Sequence, residues 1–308
     1  MRSAVLRSAA LIYNPTSGRQ RHARVLDTIL ATLRGGGFEV EPAPTSYGGE
    51  ATVLARDLAK AGHTEVVFSF GGDGTAREVA AGLLGSPVAL GFLPGGTANL
   101  LALGFGLPPD PVRAAAALCT APARDFDVGL AEAAGTGRGV PFLMMVSAGL
   151  DATILASLDL RLKYRFGKSA IVWQGLREWW RYAYPDLEIV ADGRRHTATF
   201  AAVANIPYYG GSFRLAPDAL PDDRLLEIVL FHGRGRRATM GFVVDLLRGA
   251  HLRRRDVTVL RVEEALLAGP SGGAAQIDGD LCDDRLPLSI KLAPERLRAL
   301  FPQQQVRS

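Results

Sequence analysis

Between residues 9 and 118, short runs of apolar, β-prone residues alternate with stretches of helical periodicity, and the runs are apolar on both faces. Val66–Phe70 is the clearest, with Ser69 its one polar residue. A strand with two apolar faces must be covered on both sides, and a helix between successive strands returns the chain to the same starting edge. The pattern therefore predicts a parallel sheet between two helical layers. Strands are predicted at Ala9–Tyr13, Phe38–Glu41, Val66–Phe70 and Val88–Leu93, and helices at Arg21–Arg34, Glu50–Ala61, Ala76–Leu84 and Pro111–Leu118. In the first helix Leu26, Ile29, Leu30 and Leu33 share one face, and Gly35-Gly36-Gly37 ends it.

The rhythm changes near Arg124. Asp125–Glu132, Phe142–Ser147, Leu187–Ala191, Thr197–Asn205, Leu225–Phe231, Val257–Val262 and Pro287–Leu292 read as strands, with turns at Gly135-Thr136-Gly137, Asp192-Gly193 and Asp278-Gly279. Helical periodicity is confined there to Ile154–Leu162, Ser169–Tyr182 and Arg237–Leu247. At 308 residues the chain exceeds one ordinary core. Two domains are expected: an α/β domain over residues 1–124, completed by 293–308, and a mainly antiparallel β-sandwich over 125–292.

Composition removes several classes. Apolar residues at 48% and charged residues at 21% are ordinary globular usage, which excludes a disordered or fibrous chain. A net charge of +4, from 35 basic and 31 acidic residues, predicts no nucleic-acid partner. Cys119 and Cys282 lie far apart, and no histidine falls in a metal-ligand pattern, so two reduced thiols and no zinc site are expected. The apolar run Ala9–Tyr13 is too short for a secretion signal. Pro87 and Pro94 break the long uncharged span between Glu78 and Asp110.

Candidate chemistry sits where predicted strands hand over to helices. Gly71-Gly72-Asp73-Gly74-Thr75 follows Phe68-Ser69-Phe70 and precedes a helix. Glycines at that point let backbone approach a ligand closely, and the start of the helix offers unpaired N–H groups to phosphate. Asp73 in such a place either holds Mg²⁺ or organises a neighbouring donor. Gly-Gly-Asp-Gly is also ordinary turn composition. A second such loop, Pro94-Gly95-Gly96-Thr97-Ala98-Asn99, follows the next strand, and Asn14-Pro15-Thr16-Ser17-Gly18 follows the first. In a parallel sheet all three emerge on the edge where ligands bind.

In that order, Asn14-Pro15-x-Ser17-Gly18, Gly71–Thr75 and Pro94-x-Gly96-Thr97-x-Asn99 resemble the diacylglycerol kinase catalytic family, which includes bacterial lipid kinases and sphingosine and ceramide kinases. The likeness continues through Gly210-Gly211, Pro217-x-Ala219 and Asp223 to Gln276-Ile277-Asp278-Gly279-Asp280. It implies a Rossmann-like first domain of the NAD kinase and diacylglycerol kinase type. It also implies ATP with Mg²⁺, held in a cleft between the domains by Asn14, Ser17, Gly18, Thr45, Gly71, Gly72, Asp73, Gly74, Thr75, Glu78, Gly96, Thr97 and Asn99. Asp278 and Asp280 are implied to activate the acceptor hydroxyl with Asp73 as a further catalytic group, and Leu220, Asp223 and Leu225 to hold a structural Mg²⁺. The chain departs from the family pattern at Asp280, where Glu is usual, at Arg77, where Asn is frequent, and at Arg224, where Gly is common.

Basic and aromatic residues interleave from Arg161 to Tyr184, a stretch holding all three tryptophans of the chain. Such a mixture suits an anionic headgroup layer, and it also suits a packed helix with a charged outer face. The resulting expectation is a cytoplasmic, peripherally membrane-associated lipid kinase acting on diacylglycerol or a related long-chain alcohol, with a homodimer compatible. The rivals are an NAD kinase-like enzyme and a non-catalytic lipid- or nucleotide-binding protein of the same fold.

Overall fold

The computed structural model describes residues 7–15, 21–133, 136–157, 168–270 and 272–301, with backbone alone at 21–24 and 168–174. The chain divides into two compact units, one within residues 1–128 and 294–308, the other within 129–293.

The first unit is an α/β layer structure. Strands β1 (Arg7–Tyr13), β2 (Phe38–Pro44), β3 (Val66–Gly71) and β4 (Ala89–Pro94) run parallel in the order β2-β1-β3-β4. The late strand β20 (Leu297–Leu300) adds in parallel beside β4, and β5 (Ala123–Phe126) closes the sheet antiparallel to β20. Helices α1 (Arg21–Gly35), α2 (Glu50–Ala61), α3 (Asp73–Leu83), α4 (Leu100–Gly104) and α5 (Pro111–Leu118) connect the strands. Every residue of β3 and β4 is buried, as strands apolar on both faces require. Helix α5 starts as its sequence directs, with Pro111 in the first turn and the Asp110 carboxylate accepting from the Arg113 amide at 2.9 Å.

The second unit is a sandwich of two six-stranded sheets, with a separate two-stranded pair of β12 (Tyr208–Tyr209) and β13 (Phe213–Arg214). One holds β6 (Gly129–Ala133), β7 (Gly139–Phe142), β9 (Leu187–Ala191), β10 (Arg194–Ala198), β16 (Glu264–Ala268) and β19 (Leu288–Leu292). The other holds β8 (Met145–Ala148), β11 (Phe200–Ala204), β14 (Leu226–Phe231), β15 (Val257–Val262), β17 (Ala275–Ile277) and β18 (Asp280–Leu281). The pairings within both sheets are antiparallel. Ala201 and Val203 of β11, with Leu226, Ile228 and Leu230 of β14, face the core between the sheets. Their neighbours Ala202, Ala204, Val229 and Phe231 face a second core beneath Phe242 and Leu246 of α8 (Gly235–Leu247). Helices α6 (Leu150–Ser157) and α7 (Lys168–Arg181) complete the described part of this unit.

Three expected strands are each two. Asp125–Glu132 breaks at Asp127-Val128 between β5 and β6, which belong to different units; Phe142–Ser147 breaks between β7 and β8; Thr197–Asn205 breaks at Thr199, where the chain leaves one sheet for the other. The Thr199 hydroxyl donates to the Gly233 carbonyl at 2.7 Å, fixing that crossing. Helix α3 begins at Asp73, three residues ahead of the expected start, and α4 lies in a stretch expected to be loop. Part of the helix expected at Ile154–Leu162 and of the turn at Gly135 lies outside the described residues.

Glu227, on the second-core side of β14, is buried, and neither carboxyl oxygen has a hydrogen-bond partner. Burial first, then the nearby Asp218 and Asp223 charges, pushes its carboxyl up from 4.5 to about 7, against the opposing pull of Arg261. The fold thus favours the protonated form. Its stabilising contribution is complete below about pH 4.5 and is lost as pH rises through about 7. Glu227→Gln, neutral throughout, is expected to melt above the wild type at about pH 8, with the gap closing by about pH 5. Thermal denaturation across that range checks this, and equal melting at the alkaline end refutes it.

Candidate active site

The parallel register brings the loops after the first four strands to one edge. Tyr13 pairs with Pro44 and with Phe70, and Gly71 with Pro94. Asn14, Thr45, Gly72 and Gly95 therefore leave the sheet side by side. Thr45 is buried there, its amide donating to the Tyr13 carbonyl at 2.9 Å. Ser17 and Gly18 lie outside the described residues.

The two glycine loops touch. The Gly95 amide donates to the Gly71 carbonyl at 2.7 Å. A Cβ placed on Gly96 would sit 2.6 Å from the Cα of Gly72, and one on Gly71 would sit 2.7 Å from the Thr75 hydroxyl. A side chain at 96 would drive the loops apart and one at 71 would displace Thr75, which is the physical demand for glycine at each.

Asp73 opens α3, and its carboxylate reaches across to the second loop. Oδ2 accepts from the Leu100 amide at 3.0 Å and Oδ1 from the Leu101 amide at 3.1 Å. Asp73 thus caps α4 from another element and satisfies amides that helix geometry leaves unpaired. Of the two roles open to it in the sequence, organising a neighbouring donor is the one this geometry performs. Asn99 precedes α4 at φ 53°; its Oδ1 accepts from the Gly96 amide at 2.8 Å and its Nδ2 donates to the Gly96 carbonyl at 3.0 Å. Asn99 and Gly96, expected as direct nucleotide contacts, clasp each other, and Thr97 stands exposed between them.

The start of α3 itself has no side-chain cap. The first bond closing this turn is Ala76 N–H to the Gly72 carbonyl at 3.2 Å. The amides of the turn above it, with the positive end of the helix dipole, can meet an anion. Glu78, expected at the nucleotide, accepts from the Gly49 amide at 3.1 Å, and its carbonyl accepts from the Thr52 hydroxyl at 2.9 Å. It fastens α3 to the start of α2.

In the second unit Asp278 and Gly279 occupy the turn between β17 and β18 at φ 51° and 87°. This is the hairpin that Asp-Gly favours. Asp278 is buried, and its carboxylate accepts from the amides of Leu143 at 2.8 Å, Met144 at 2.8 Å and Met145 at 3.0 Å. Asp278, expected to share in proton removal, uses its oxygens to hold the crossing between β7 and β8. Asp280 lies beyond the turn, exposed on β18. The Gly279 amide before it donates to Gln276 Oε1 at 2.6 Å, and Gln276 Nε2 donates to Ser147 Oγ at 2.8 Å. Sequence reasoning missed Ser147, since nothing in a strand pattern marks one buried hydroxyl.

In the loop expected to hold a structural Mg²⁺, the aspartate is engaged within the protein. Asp223 Oδ1 accepts from the Leu225 amide at 3.0 Å, and Oδ2 is ion-paired with Arg261. Leu220 is exposed, and no group of three metal-ligating side chains converges among the described residues. Arg224 adopts φ 64°, the left-handed conformation that a glycine would take there, and its guanidinium donates to the Ala293 carbonyl at 3.0 Å.

Comparison with known proteins agrees with this architecture. The profile of the diacylglycerol kinase catalytic domain matches residues 8–131, and that of the YegS C-terminal NAD kinase beta sandwich-like domain matches residues 144–301. A probable lipid kinase YegS-like protein of Chromohalobacter salexigens is 31% identical over 81% of this chain and 80% of its own length. A diacylglycerol kinase of Bacillus subtilis is 25% identical over 89% and 90%. The crystal structure of a diacylglycerol kinase from Bacillus anthracis superposes with a TM-score of 0.79 at 21% identity, covering 99% of this chain and 100% of that one. On the sandwich profile and the similarity to the Chromohalobacter protein, the chain belongs to the diacylglycerol kinase catalytic-domain family.

Proposed function

We propose that the protein is an ATP- and Mg²⁺-dependent lipid kinase that transfers the γ-phosphoryl group to a hydroxyl of diacylglycerol or a related long-chain alcohol. The observation that carries this reading is the pair of touching glycine loops beside the uncapped start of α3. The triphosphate would lie against the first-turn amides of α3, including those of Gly74 and Thr75, with Thr97 exposed on the facing loop. Asp73 and Asn99 hold both loops in place before any ligand arrives, so binding costs little reorganisation. A Mg²⁺ bound with the triphosphate would supply positive charge against that which builds on the transferred group. The acceptor oxygen forms a bond to the γ-phosphorus as the β–γ bridging bond breaks and ADP departs. The alcohol proton passes to Asp280, the exposed carboxylate of its hairpin. Relatives named lipid kinase and diacylglycerol kinase support an alcohol acceptor.

Labelled ATP with diacylglycerol, ceramide, sphingosine and prenol in mixed micelles, and with NAD as a separate acceptor, tests the assignment. Lipid-dependent ADP release is expected, and phosphorylation of NAD alone overturns it. Asp280→Ala is expected to lower kcat at least about 10²-fold with an unchanged melting temperature, whereas Asp73→Ala should lower both. Wild-type kcat in Asp280→Ala removes that residue from the mechanism.

The surface of the second unit supports peripheral membrane contact. Leu176 and Trp180 of α7, with Met240, Val243 and Leu247 of α8, are exposed, Trp180 by 61%. The Arg236 guanidinium lies 3.8 Å from the Trp180 ring centre, and Arg237 stands exposed beside it. Amphipathic rings flanked by arginines suit the boundary of an anionic bilayer, and no helix among the described residues is long and apolar enough to cross one. At about 1 kcal/mol per arginine near the surface, Arg236→Gln with Arg237→Gln is expected to weaken co-sedimentation with phosphatidylglycerol vesicles at least about tenfold. Equal sedimentation argues against this face.

A further inference from the structure

Two hairpins of the second unit are closed by the same dipeptide. Asp192-Gly193 joins β9 to β10 and Asp278-Gly279 joins β17 to β18, with φ of 44° and 79° in the first and 51° and 87° in the second. An Asp-Gly pair with positive φ at both residues turns the chain by itself. The second hairpin carries further bonds. The Asp278 amide donates to the Met145 carbonyl at 2.9 Å, and the Gly279 amide donates to Gln276 Oε1 at 2.6 Å. Two residues ahead of its Asp-Gly pair the first hairpin has Val190, whose side chain offers no acceptor. One Asp-Gly hairpin of this unit thus forms without a glutamine at that position.

Gln276 is itself held. It is buried on β17 opposite Ser147 of β8, and its Nε2 donates to Ser147 Oγ at 2.8 Å. The Ser147 hydroxyl gives its proton to the Asp151 carboxyl, so its oxygen is left to accept. That sets the direction of the Gln276 amide, with nitrogen toward Ser147 and oxygen toward Gly279. Glutamine meets both demands because it carries a donor and an acceptor on one planar group.

Gly279 is exposed, and water can serve its amide where no side chain does. What the bond to Gln276 restrains is the place of the turn, and the next residue is Asp280. The aspartate carboxylate stands one methylene from its backbone, so its location is set chiefly by the hairpin. A base must lie within hydrogen-bond reach of the proton it takes, and a misplacement of about 1 Å can cost about 10²-fold in rate.

We propose that Gln276 is a positioning residue for Asp280: ordered by Ser147, it pins the Gly279 amide and so fixes the hairpin from which the Asp280 carboxylate reaches the acceptor hydroxyl. The role given to Asp280 rests on the kinase reading above; the clasp on the hairpin does not.

Amide hydrogen exchange of the full chain tests the clasp. Both glycines follow an aspartate, so their intrinsic exchange rates are alike, and the Gly279 amide is expected to exchange at least about tenfold more slowly than that of Gly193. Gln276→Met, similar in length and without a polar hydrogen or amide oxygen, should remove the difference. Equal rates in the wild type overturn the proposal whether or not the variant folds. Steady-state kinetics with ATP and dioctanoylglycerol tests the role. Gln276→Met is expected to lower kcat at least about tenfold, with KM for ATP within about twofold of the wild type. In the Asp280→Ala background the same change should lower kcat less than about twofold, because a residue that acts through Asp280 then has nothing to position. Wild-type kcat in Gln276→Met, or a tenfold loss that persists beside Asp280→Ala, overturns the proposal and leaves the kinase reading standing. Absence of lipid-dependent ADP release from the wild type overturns the kinase reading and the role of Gln276 with it, even where the Gly279 amide is slow.

Discussion

A carboxylate that gathers consecutive backbone amides is the interaction on which both units depend. Asp73 takes the amides of Leu100 and Leu101, and Asp278 takes those of Leu143, Met144 and Met145. In each case the amides belong to a stretch where the chain changes direction and regular structure offers no partner. An unpaired buried amide is costly, so one side chain with several acceptor positions fixes the turn and its neighbours together. The reach of Asp73 also explains why a glycine is needed at 96: it draws α4 and its loop against α3, and Gly96 meets the Gly72 backbone with no room for a Cβ of its own.

This arrangement separates holding from binding. Asp73, Asn99, Glu78 and Asp278 spend polar atoms on the protein itself, whereas the start of α3 has no side-chain cap. Under the proposed reaction, loops held in this way need little rearrangement when a ligand arrives. In the sandwich, a polar chain from Gly279 through Gln276 and Ser147 to Asp151 and Tyr209 crosses a largely apolar interior. Polar groups linked within such an interior are stronger and more directional than the same groups in water.

Sequence legibility followed local chemistry. The limits of α2 and α5 and the hairpins at Asp192-Gly193 and Asp278-Gly279 are set by neighbours in the chain: a glycine stop, a proline in the first turn, an Asp-Gly pair with positive φ at both residues. The strands at Asp125–Glu132, Phe142–Ser147 and Thr197–Asn205 were misread for one shared reason. Each is a continuous run of strand-forming residues in which the chain passes from one sheet to another. Alternation along a strand records which face is apolar, not which sheet receives it. Helix α4 was hidden because its start depends on a carboxylate 27 residues away.

The sequence by itself determined the layered α/β first half, the antiparallel second half and the glycine loops at the strand ends, because these follow from periodicity and from conformations that only certain residues adopt. It also singled out Asp73, and through the family resemblance Asp278 and Asp280, without showing which donors surround each. Tertiary structure alone decided that Asp73 and Asp278 clasp backbone while Asp280 lies exposed beyond the turn, and that Asp151 lines an apolar cavity. The physical reason is that a carboxylate's role is set by the donors that surround it, and here those donors arrive from segments up to 135 residues away.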